Sequence, residues 1–327
     1  MLRLFKNNTP FTVIILFIFA ILVKLKVLIH PSVPLPEPGH FIYNYILRAL
    51  FFFFHNNAFS YTLLAIILLF AQSLYVNNIT VRHKLFPKNT YIASFVYLLI
   101  TSIYSRFNFF NETIIINWLL LGALDIMFGF SKTTQPRKLI YNAALLLSVV
   151  ALFQFTMLAW FLLLVVGMVL FRSFNMGEWS VAILGYVTPL YFIVSILFLL
   201  DKLYFLGQWP RYGFSVVPLT TSPLFFIITL CGLVILLFSG IFAMRKNVSM
   251  SNIYVRRDWA AISLYLIISI AVAFGTEKTV TSAWLVTLPP LSIMVSHALS
   301  FEKNKRFSNF IFYFSIVFLV FCLLVNK

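Results

Sequence analysis

Acidic residues are scarce in this chain of 327 residues, which carries 8 Asp and Glu against 24 Lys and Arg. Only 10% of its residues are charged and 62% are hydrophobic. Soluble globular proteins carry about 25% charged and roughly 45–50% apolar residues. One water-soluble core could not bury so much apolar surface, to which 39 Phe contribute. The composition therefore excludes a soluble enzyme, a disordered protein and a disulfide scaffold, and it predicts an all-α, polytopic transmembrane helical bundle.

Motifs of high specificity are also missing. The chain has no G-x-S-x-G, Walker, G-x-G-x-x-G or C-x-x-C motif, and its two cysteines, Cys231 and Cys322, fall inside apolar runs. The five histidines do not have the spacing of a helical metal-ligand pair. The sequence therefore predicts neither a disulfide framework nor a metal site, and it leaves any cofactor unknown.

Long apolar runs are what the chain has in abundance. A helix that crosses the hydrocarbon core needs about 20 mostly apolar residues, and fewer where its polar ends reach the interface. This rule predicts about eleven spans in a single transmembrane domain, residues 1–327. Their approximate limits are 12–29, 59–76, 91–104, 114–130, 139–152, 157–171, 180–200, 223–244, 259–275, 279–297 and 310–325.

The basic residues predict the orientation of these spans. With the N-terminus in the cytoplasm, 16 of the 24 Lys and Arg fall in cytoplasmic segments and 8 fall on the other side. The cytoplasmic loops of membrane proteins accumulate Lys and Arg. The net charge of +16 therefore indicates an N-in, C-out topology in a lipid bilayer and no nucleic-acid partner.

Two outer segments are long enough to carry a site. The first, residues 30–58, begins with four prolines in eight residues, which hold the backbone extended. Residues 41–54 then mix aromatic and polar side chains, as does a helix that lies in the membrane interface. The second outer loop is residues 201–222, in which Trp209 is an expected interface anchor. Any site is therefore expected to open on the non-cytoplasmic face.

The outer carboxylates are the candidate catalytic groups. Glu37 lies between two prolines in the first outer loop, and Glu112 precedes the fourth predicted span. Two acids at the rim of an apolar bundle could act as a general base and a supporting ligand. The alternative is that Glu37 is a solvated loop residue and Glu112 a first-turn acid favoured by the helix dipole, with Asn111 as the cap.

Asp125 is the one acid clearly inside a predicted span. An acid within the membrane is a functional hypothesis by default. However, Asp125 is about one turn from the cytoplasmic end of its helix, where Lys132 could reach it. A structural role is the alternative to a proton or ion site.

The segment from Phe171 to Trp179, followed by Gly185 and Pro189, resembles an uncharacterised family of bacterial polytopic membrane proteins of about this length. The opening residues 4–11 are similar to theirs as well. The resemblance implies a multi-pass protein of the bacterial inner membrane. Some members carry a carotene-cleaving monooxygenase name. Such enzymes hold iron with four histidines, whereas the five histidines here divide between the two membrane faces.

The layout also resembles that of membrane glycosyltransferases that use polyprenyl-phosphate sugars. These have a cytoplasmic N-terminus, a long first outer loop with an interfacial helix and a catalytic acid, and often a second acid in the next outer loop. The resemblance implies Glu37 and Glu112 as catalytic residues and a polyprenyl-phosphate-linked substrate. Substrate contacts would come from Arg106, Arg48 and His40, with one arginine near the lipid phosphate.

Other functions stay open from the sequence. The chain departs from the glycosyltransferases because it has no Asp-Glu signature in its first loop and no large C-terminal soluble domain. A non-catalytic assembly subunit or a polyprenol-binding or lipid-binding partner of other membrane proteins fits the composition equally well. A transporter is a further alternative, although no internal repeat is visible.

Overall fold

The computed structural model describes residues 2–6, 9–37, 39–209, 223–248, 251–276, 281–300 and 305–325. Within these ranges helices are the only regular secondary structure. In chain order they are α1 (Leu2–Lys6), α2 (Pro10–Ile29), α3 (Phe41–Phe54), α4 (Ala58–Arg82), α5 (Ile92–Thr101), α6 (Glu112–Met127), α7 (Pro136–Ala151), α8 (Phe161–Phe171), α9 (Met176–Leu199), α10 (Tyr204–Gln208), α11 (Pro223–Val248), α12 (Ile253–Phe274), α13 (Leu288–Ser300) and α14 (Lys305–Val325). Short 3₁₀ helices cover Ser105–Asn108, Phe155–Trp160 and Thr281–Thr287.

Seven helical segments in the described part of the chain are long and apolar enough to cross a membrane. They are Pro10–Ile29, Ala58–Arg82, Met176–Leu199, Ile227–Arg245, Ile253–Phe274, Ser282–Ser300 and Lys305–Val325. The all-helical, multi-pass class predicted from composition is therefore confirmed.

The other four of the eleven predicted segments also coincide with helices, but these helices are shorter. α5 has 10 residues, α6 and α7 have 16 each, and α8 has 11 and follows directly on the 3₁₀ helix Phe155–Trp160. About 20 residues are needed to cross the hydrocarbon region without help from the flanking chain. Length and apolar composition therefore support seven of the eleven predicted spans.

Several long helices extend past the predicted limits into charged sequence. α12 begins at Ile253 and includes Arg256, Arg257 and Asp258, and α4 continues to Arg82. The sequence prediction began the α12 span after Asp258 and ended the α4 span at residue 76, before Asn77. The helices continue because Lys and Arg are good helix formers whose long stems can carry the charge to the interface.

The centre of the bundle is formed by short helices rather than long ones. All ten residues of α5 are buried, and α5 packs against α4, α13, α2 and α14. α9 instead leaves most of its surface exposed and packs along α7. Gly185 permits this approach, because a Cβ there would lie 2.9 Å from both the Ala144 Cβ and the Tyr141 carbonyl oxygen.

The amphipathic segment predicted after the proline-rich loop is present as α3. Tyr43 and Leu47 face the bundle, whereas Phe52 and Phe53 are more than 70% exposed. The loop before it, residues 31–37, has no regular secondary structure. Of the second predicted outer loop, residues 210–222 lie outside the described part of the chain.

Candidate functional site

The site is built around the first turn of α6, which carries Glu112. The Asn111 side chain caps this helix, because its Oδ1 accepts a hydrogen bond from the Ile114 backbone N–H at 3.1 Å. The predicted cap is thus confirmed. Glu112 is a first-turn acid of this helix, as the alternative interpretation expected, and it is buried, with 2% exposure.

Three predicted site residues come together here. Nδ1 of His40 lies 2.7 Å from Glu112 Oε2 and 3.6 Å from Glu37 Oε2. The side chains of His40 and Glu112 are 7% and 2% exposed, whereas that of Glu37 is 37% exposed. We call these three residues the carboxylate–histidine cluster. It has two buried members and one, Glu37, that reaches solvent.

Gln154 completes the surroundings of Glu112. Its Nε2 donates a hydrogen bond to Glu112 Oε1, so that each carboxylate oxygen of Glu112 has a partner. Gln154 lies between α7 and the 3₁₀ helix Phe155–Trp160 and is 4% exposed. The sequence signal for this residue was its position as a polar break between two short apolar segments.

Asn44 of α3 fixes the outer loop that carries Glu37. The Glu37 backbone N–H donates to Asn44 Oδ1 at 3.0 Å, and Asn44 Nδ2 donates back to the Glu37 carbonyl oxygen at 2.7 Å. Between them the chain turns through Gly39 at φ 86°, in the left-handed region that glycine adopts without strain. This turn, together with the Asn44 contacts, directs Glu37 and His40 toward the same point.

Tyr43, in the first turn of α3, lies close enough to the cluster for its pKa to respond to the two carboxylates. Burial raises the pKa of its phenol well above the ordinary value, and the negative charges of Glu112 and Glu37 raise it further. The hydroxyl therefore stays protonated beside the carboxylates. Nothing in the sequence singles out Tyr43 or Asn44, because both resemble ordinary interface residues.

A small pocket opens beside the cluster, with room for about one water molecule. Its wall includes His40, Gln154, Thr156 and Trp209. Gln154 Oε1, Thr156 Oγ1 and Trp209 Nε1 are buried and have no hydrogen-bond partner among the described residues. Buried polar atoms are nearly always hydrogen-bonded in native proteins. Three unpartnered atoms around one pocket therefore indicate that the pocket receives a polar group.

The two arginines predicted as substrate contacts lie on the surface. Arg48 is exposed on α3, with its guanidinium 5.7 Å from the ring centre of Tyr45. Arg106 is exposed on the 3₁₀ helix Ser105–Asn108. Within the described residues, no ion pair joins either arginine to Glu37 or Glu112. The geometry thus brings together three of the five predicted site residues.

Lys24, one of the 8 basic residues that the predicted topology assigns to the outer side, is buried in the bundle. Lys24 of α2 is 0% exposed, and its Nζ donates to Thr101 Oγ1 at 3.4 Å and to Asn108 Oδ1. It ties α2 to the end of α5 and to the neighbouring 3₁₀ helix. Lys24 lies in an apolar run of α2, and nothing in that run distinguishes a lysine that faces the bundle from one that faces lipid.

Asp125, at the opposite end of α6, is held by an ion pair with Arg82 and a contact with His83. Its carboxylate lies 2.5 Å from Arg82 Nη1 and 2.7 Å from His83 Nε2. Lys132 does not reach Asp125 but donates to His83 Nδ1 at 2.9 Å. Thirteen residues of α-helix separate Asp125 from Glu112 by about 20 Å. The geometry therefore fits the structural alternative for Asp125, as a tie between the ends of α4 and α6.

Comparison of this chain with protein-family models, with curated proteins and with solved structures finds no match.

Proposed function

We propose that the protein is a multi-pass membrane glycosyltransferase-like enzyme that acts on a lipid-linked sugar at the outer face of the bacterial inner membrane. The observation that carries this proposal is the convergence of Glu37, His40 and Glu112 beside a pocket with unpartnered polar atoms. Acid–base chemistry needs at least one titratable group that can reach the substrate, and Glu37 is the partly exposed member.

In the proposed reaction Glu37 accepts the proton of an acceptor hydroxyl. The hydroxyl oxygen attacks the anomeric carbon of the sugar, the bond between that carbon and the phosphate oxygen breaks, and the lipid phosphate leaves with the bonding electron pair. Glu37 then releases its proton to water. His40 and Glu112, buried behind Glu37, hold the local charge and orient the loop.

The small pocket suits one functional group of the substrate rather than a whole sugar ring. Gln154 Oε1 and Thr156 Oγ1 can accept hydrogen bonds from a hydroxyl, and Trp209 Nε1 can donate one. The remainder of the substrate would lie at the mouth, near α3. The exposed face of α3 carries Phe52 and Phe53, which suits contact with a lipid chain.

Replacing Glu37 with glutamine is expected to slow transfer by about 10²–10⁴-fold, the usual contribution of a positioned general base. The measurement is release of polyprenyl phosphate from polyprenyl-phosphate sugars by the purified protein in lipid nanodiscs. Glutamine preserves the size of the side chain, and Glu37 is partly exposed, so folding should be unaffected.

Asp201→Asn is the matched control, because it removes a different exposed acid from the same predicted face. Asp201 has φ 53°, a conformation that asparagine tolerates well. Equal activity in wild type and Glu37→Gln, with transfer detectable in both, would refute the role of Glu37. Absence of transfer from every lipid-linked sugar tested would refute the proposed reaction class.

The proposal includes eleven spans and an N-in, C-out orientation. The carboxylate–histidine cluster and Gln154 lie at the end of the bundle where α6 begins and α7 ends. The end where α4 and α6 finish carries Arg82 and Lys132. The excess of Lys and Arg at that second end supports a cytoplasmic location for it and an outer location for the cluster.

Topology reporters test this orientation. A fusion after Lys138 should report the cytoplasm, and a fusion after Lys327 should report the outer side. The first lies after the loop between α6 and α7, at the basic end of the bundle. An even number of spans would place both termini on one side, and a reversed protein would exchange the two signals, so either result contradicts the proposed topology.

A non-catalytic membrane subunit is the second candidate. The burial of Glu112 favours this candidate. His40 contacts one carboxylate oxygen of Glu112 and Gln154 donates a hydrogen bond to the other, as expected for a residue with a purely structural role. The large exposed apolar surface of α9 could then contact a partner protein instead of lipid. Normal function of the Glu37→Gln and Glu112→Gln variants in cells would favour this candidate.

A further inference from the structure

The geometry points to a binding site for a divalent transition-metal ion, Zn²⁺ or Mn²⁺, formed by Glu37, His40 and Glu112. The inference deepens the proposed function. The role of the ion in the reaction rests on that function, whereas the binding of the ion does not. The sequence predicts no metal site, because the histidines have no ligand spacing along one helix. The three residues meet only through the packing of the loop before α3 against the start of α6.

The distances fit a metal ion with little adjustment. One ligand atom from each residue lies within 4.8 Å of the other two. Around a tetrahedral Zn²⁺ with bonds of about 2.0–2.1 Å, neighbouring ligand atoms are about 3.3 Å apart. The observed separations from His40 Nδ1, 2.7 Å to Glu112 and 3.6 Å to Glu37, lie on either side of that value.

The donor set selects the class of ion. One imidazole nitrogen and two carboxylates favour Zn²⁺ or Mn²⁺ over Ca²⁺ and Mg²⁺, which prefer ligand sets made only of oxygen. With three protein ligands, a tetrahedral ion keeps one position for water or substrate, as catalytic zinc sites do. Two carboxylates with a neutral imidazole also supply the charge that balances a divalent cation.

The neighbouring pocket gives an independent indication of this fourth position. It has room for about one water molecule, and His40 and Gln154 both line it. Gln154 Oε1 is buried without a partner among the described residues, while Nε2 of the same amide holds Glu112. A water bound to the ion could donate a hydrogen bond to this oxygen. Gln154 is therefore a positioning residue that joins a ligand carboxylate to the open position.

The ion would resolve an electrostatic difficulty of the proposed reaction. The leaving lipid phosphate is an anion, and it would form next to two carboxylates, where like charges repel. Arg48 and Arg106 are not paired with these carboxylates in the described structure. A divalent cation at the cluster can bind a phosphate oxygen and stabilise the developing charge. Glu37 would hold the ion through one carboxylate oxygen, and its second oxygen would remain available as the proton acceptor.

Metal content tests the site directly. The full-length protein in nanodiscs is stripped with a chelator, equilibrated with Zn²⁺ or Mn²⁺ alone and freed of excess ion by gel filtration. Metal per chain is then counted by mass spectrometry, and the affinity is measured by titration. We expect about one ion per chain in wild type and at least about 100-fold weaker binding in Glu37→Gln and His40→Gln, since even loss of a residue that only supports a ligand costs about 10–100-fold.

His30→Gln is the matched control, because His30 is an exposed histidine near the start of the same outer loop. It should bind like wild type. His40 is buried, so weak binding by the His40→Gln variant could reflect misfolding. Glu37 is partly exposed, and the Glu37→Gln variant should fold normally, so its binding tests the site directly. No stoichiometric ion in wild type, or equal affinity in wild type and Glu37→Gln, would overturn the site.

The experiments can refute the metal site and the proposed reaction independently of each other. Stoichiometric binding that Glu37→Gln weakens, without transfer from any lipid-linked sugar, would support the metal site and refute the transferase. Full transfer activity in metal-stripped protein would refute the role of the ion and leave the transferase in place.

Discussion

Replacing Glu112 with alanine is expected to abolish activity and to destabilise the bundle, whereas Glu112→Gln should abolish activity alone. Alanine leaves His40 Nδ1 and Gln154 Nε2 buried without their present partner. A buried polar group that loses its partner costs about 1–3 kcal/mol. Glutamine has the same shape and can hydrogen-bond both neighbours, but it carries no charge.

Two measurements separate these effects: thermal unfolding of the purified variants in one detergent, and transfer activity in nanodiscs. We expect a lower melting temperature only for alanine. Both variants should lose activity by at least about 10²-fold, because Glu112 is a ligand of the proposed metal site and loss even of a residue that supports a ligand costs about 10–100-fold. If Glu112→Gln were fully active, the charge of Glu112 would be irrelevant and the carboxylate–histidine cluster would be a structural tie. If Glu112→Ala were as stable as wild type, the buried hydrogen bonds would contribute little.

Removal of the Arg172 side chain is expected to give the largest loss of stability outside the site. Arg172 follows α8 and holds Glu178 in the first turn of α9 through two hydrogen bonds, Nε to Oε2 at 2.9 Å and Nη2 to Oε1 at 2.6 Å. The hydrogen bonds with Glu178 also raise the pKa of the Arg172 guanidinium above its ordinary value, so the pair is ionic at every physiological pH.

The Arg172→Ala variant would leave the 3%-exposed Glu178 without this partner. Breaking a fully buried ion pair costs about 3–5 kcal/mol. Arg172 keeps 25% of its side chain accessible, and water can replace part of the contact, so we expect about 2–3 kcal/mol. Unfolding in detergent measures this loss, and Arg172→Lys should recover only part of it because lysine cannot form the bidentate contact.

Arg137→Ala is the comparison that isolates the pair. Arg137 acts on the Glu178 carboxylate only as a nearby charge, and its Nη2 lies 3.2 Å from where a Cβ on Gly177 would be. We expect a change of less than about 1 kcal/mol for this variant, as for other accessible charges. Equal losses for Arg137→Ala and Arg172→Ala would show that general charge, and not the bidentate contact, stabilises the start of α9.

The membrane class and the positions of the helices could be predicted because apolar composition is a local property of the chain. Each of the eleven predicted segments coincides with a helix. The Asn111 cap was also predictable, since it depends on residues within one turn. The limits of the helices were harder to predict, because α12 includes charged residues in its first two turns and a hydropathy rule excludes them.

The candidate site was predicted in part. Glu37 and Glu112 were singled out because acids are scarce and both fell on the predicted outer side. His40 came with them through its place in the same loop. The choice of Arg48 and Arg106 as substrate contacts rested on resemblance of layout, which does not specify where a side chain points. In the structure both arginines are exposed, and Lys24 is the buried basic residue near the 3₁₀ helix Ser105–Asn108.

The scarcity of charge in the sequence determined that this is a multi-pass helical membrane protein, and the distribution of its basic residues favours one orientation. Only the tertiary structure decided that residues 40, 112 and 154 meet at one point. The physical reason is that helices with apolar residues all round carry little local signal for the face that meets another helix, because lipid and protein interior are similarly apolar. Contacts between distant polar residues follow from that packing, and the chemistry of the site depends on them.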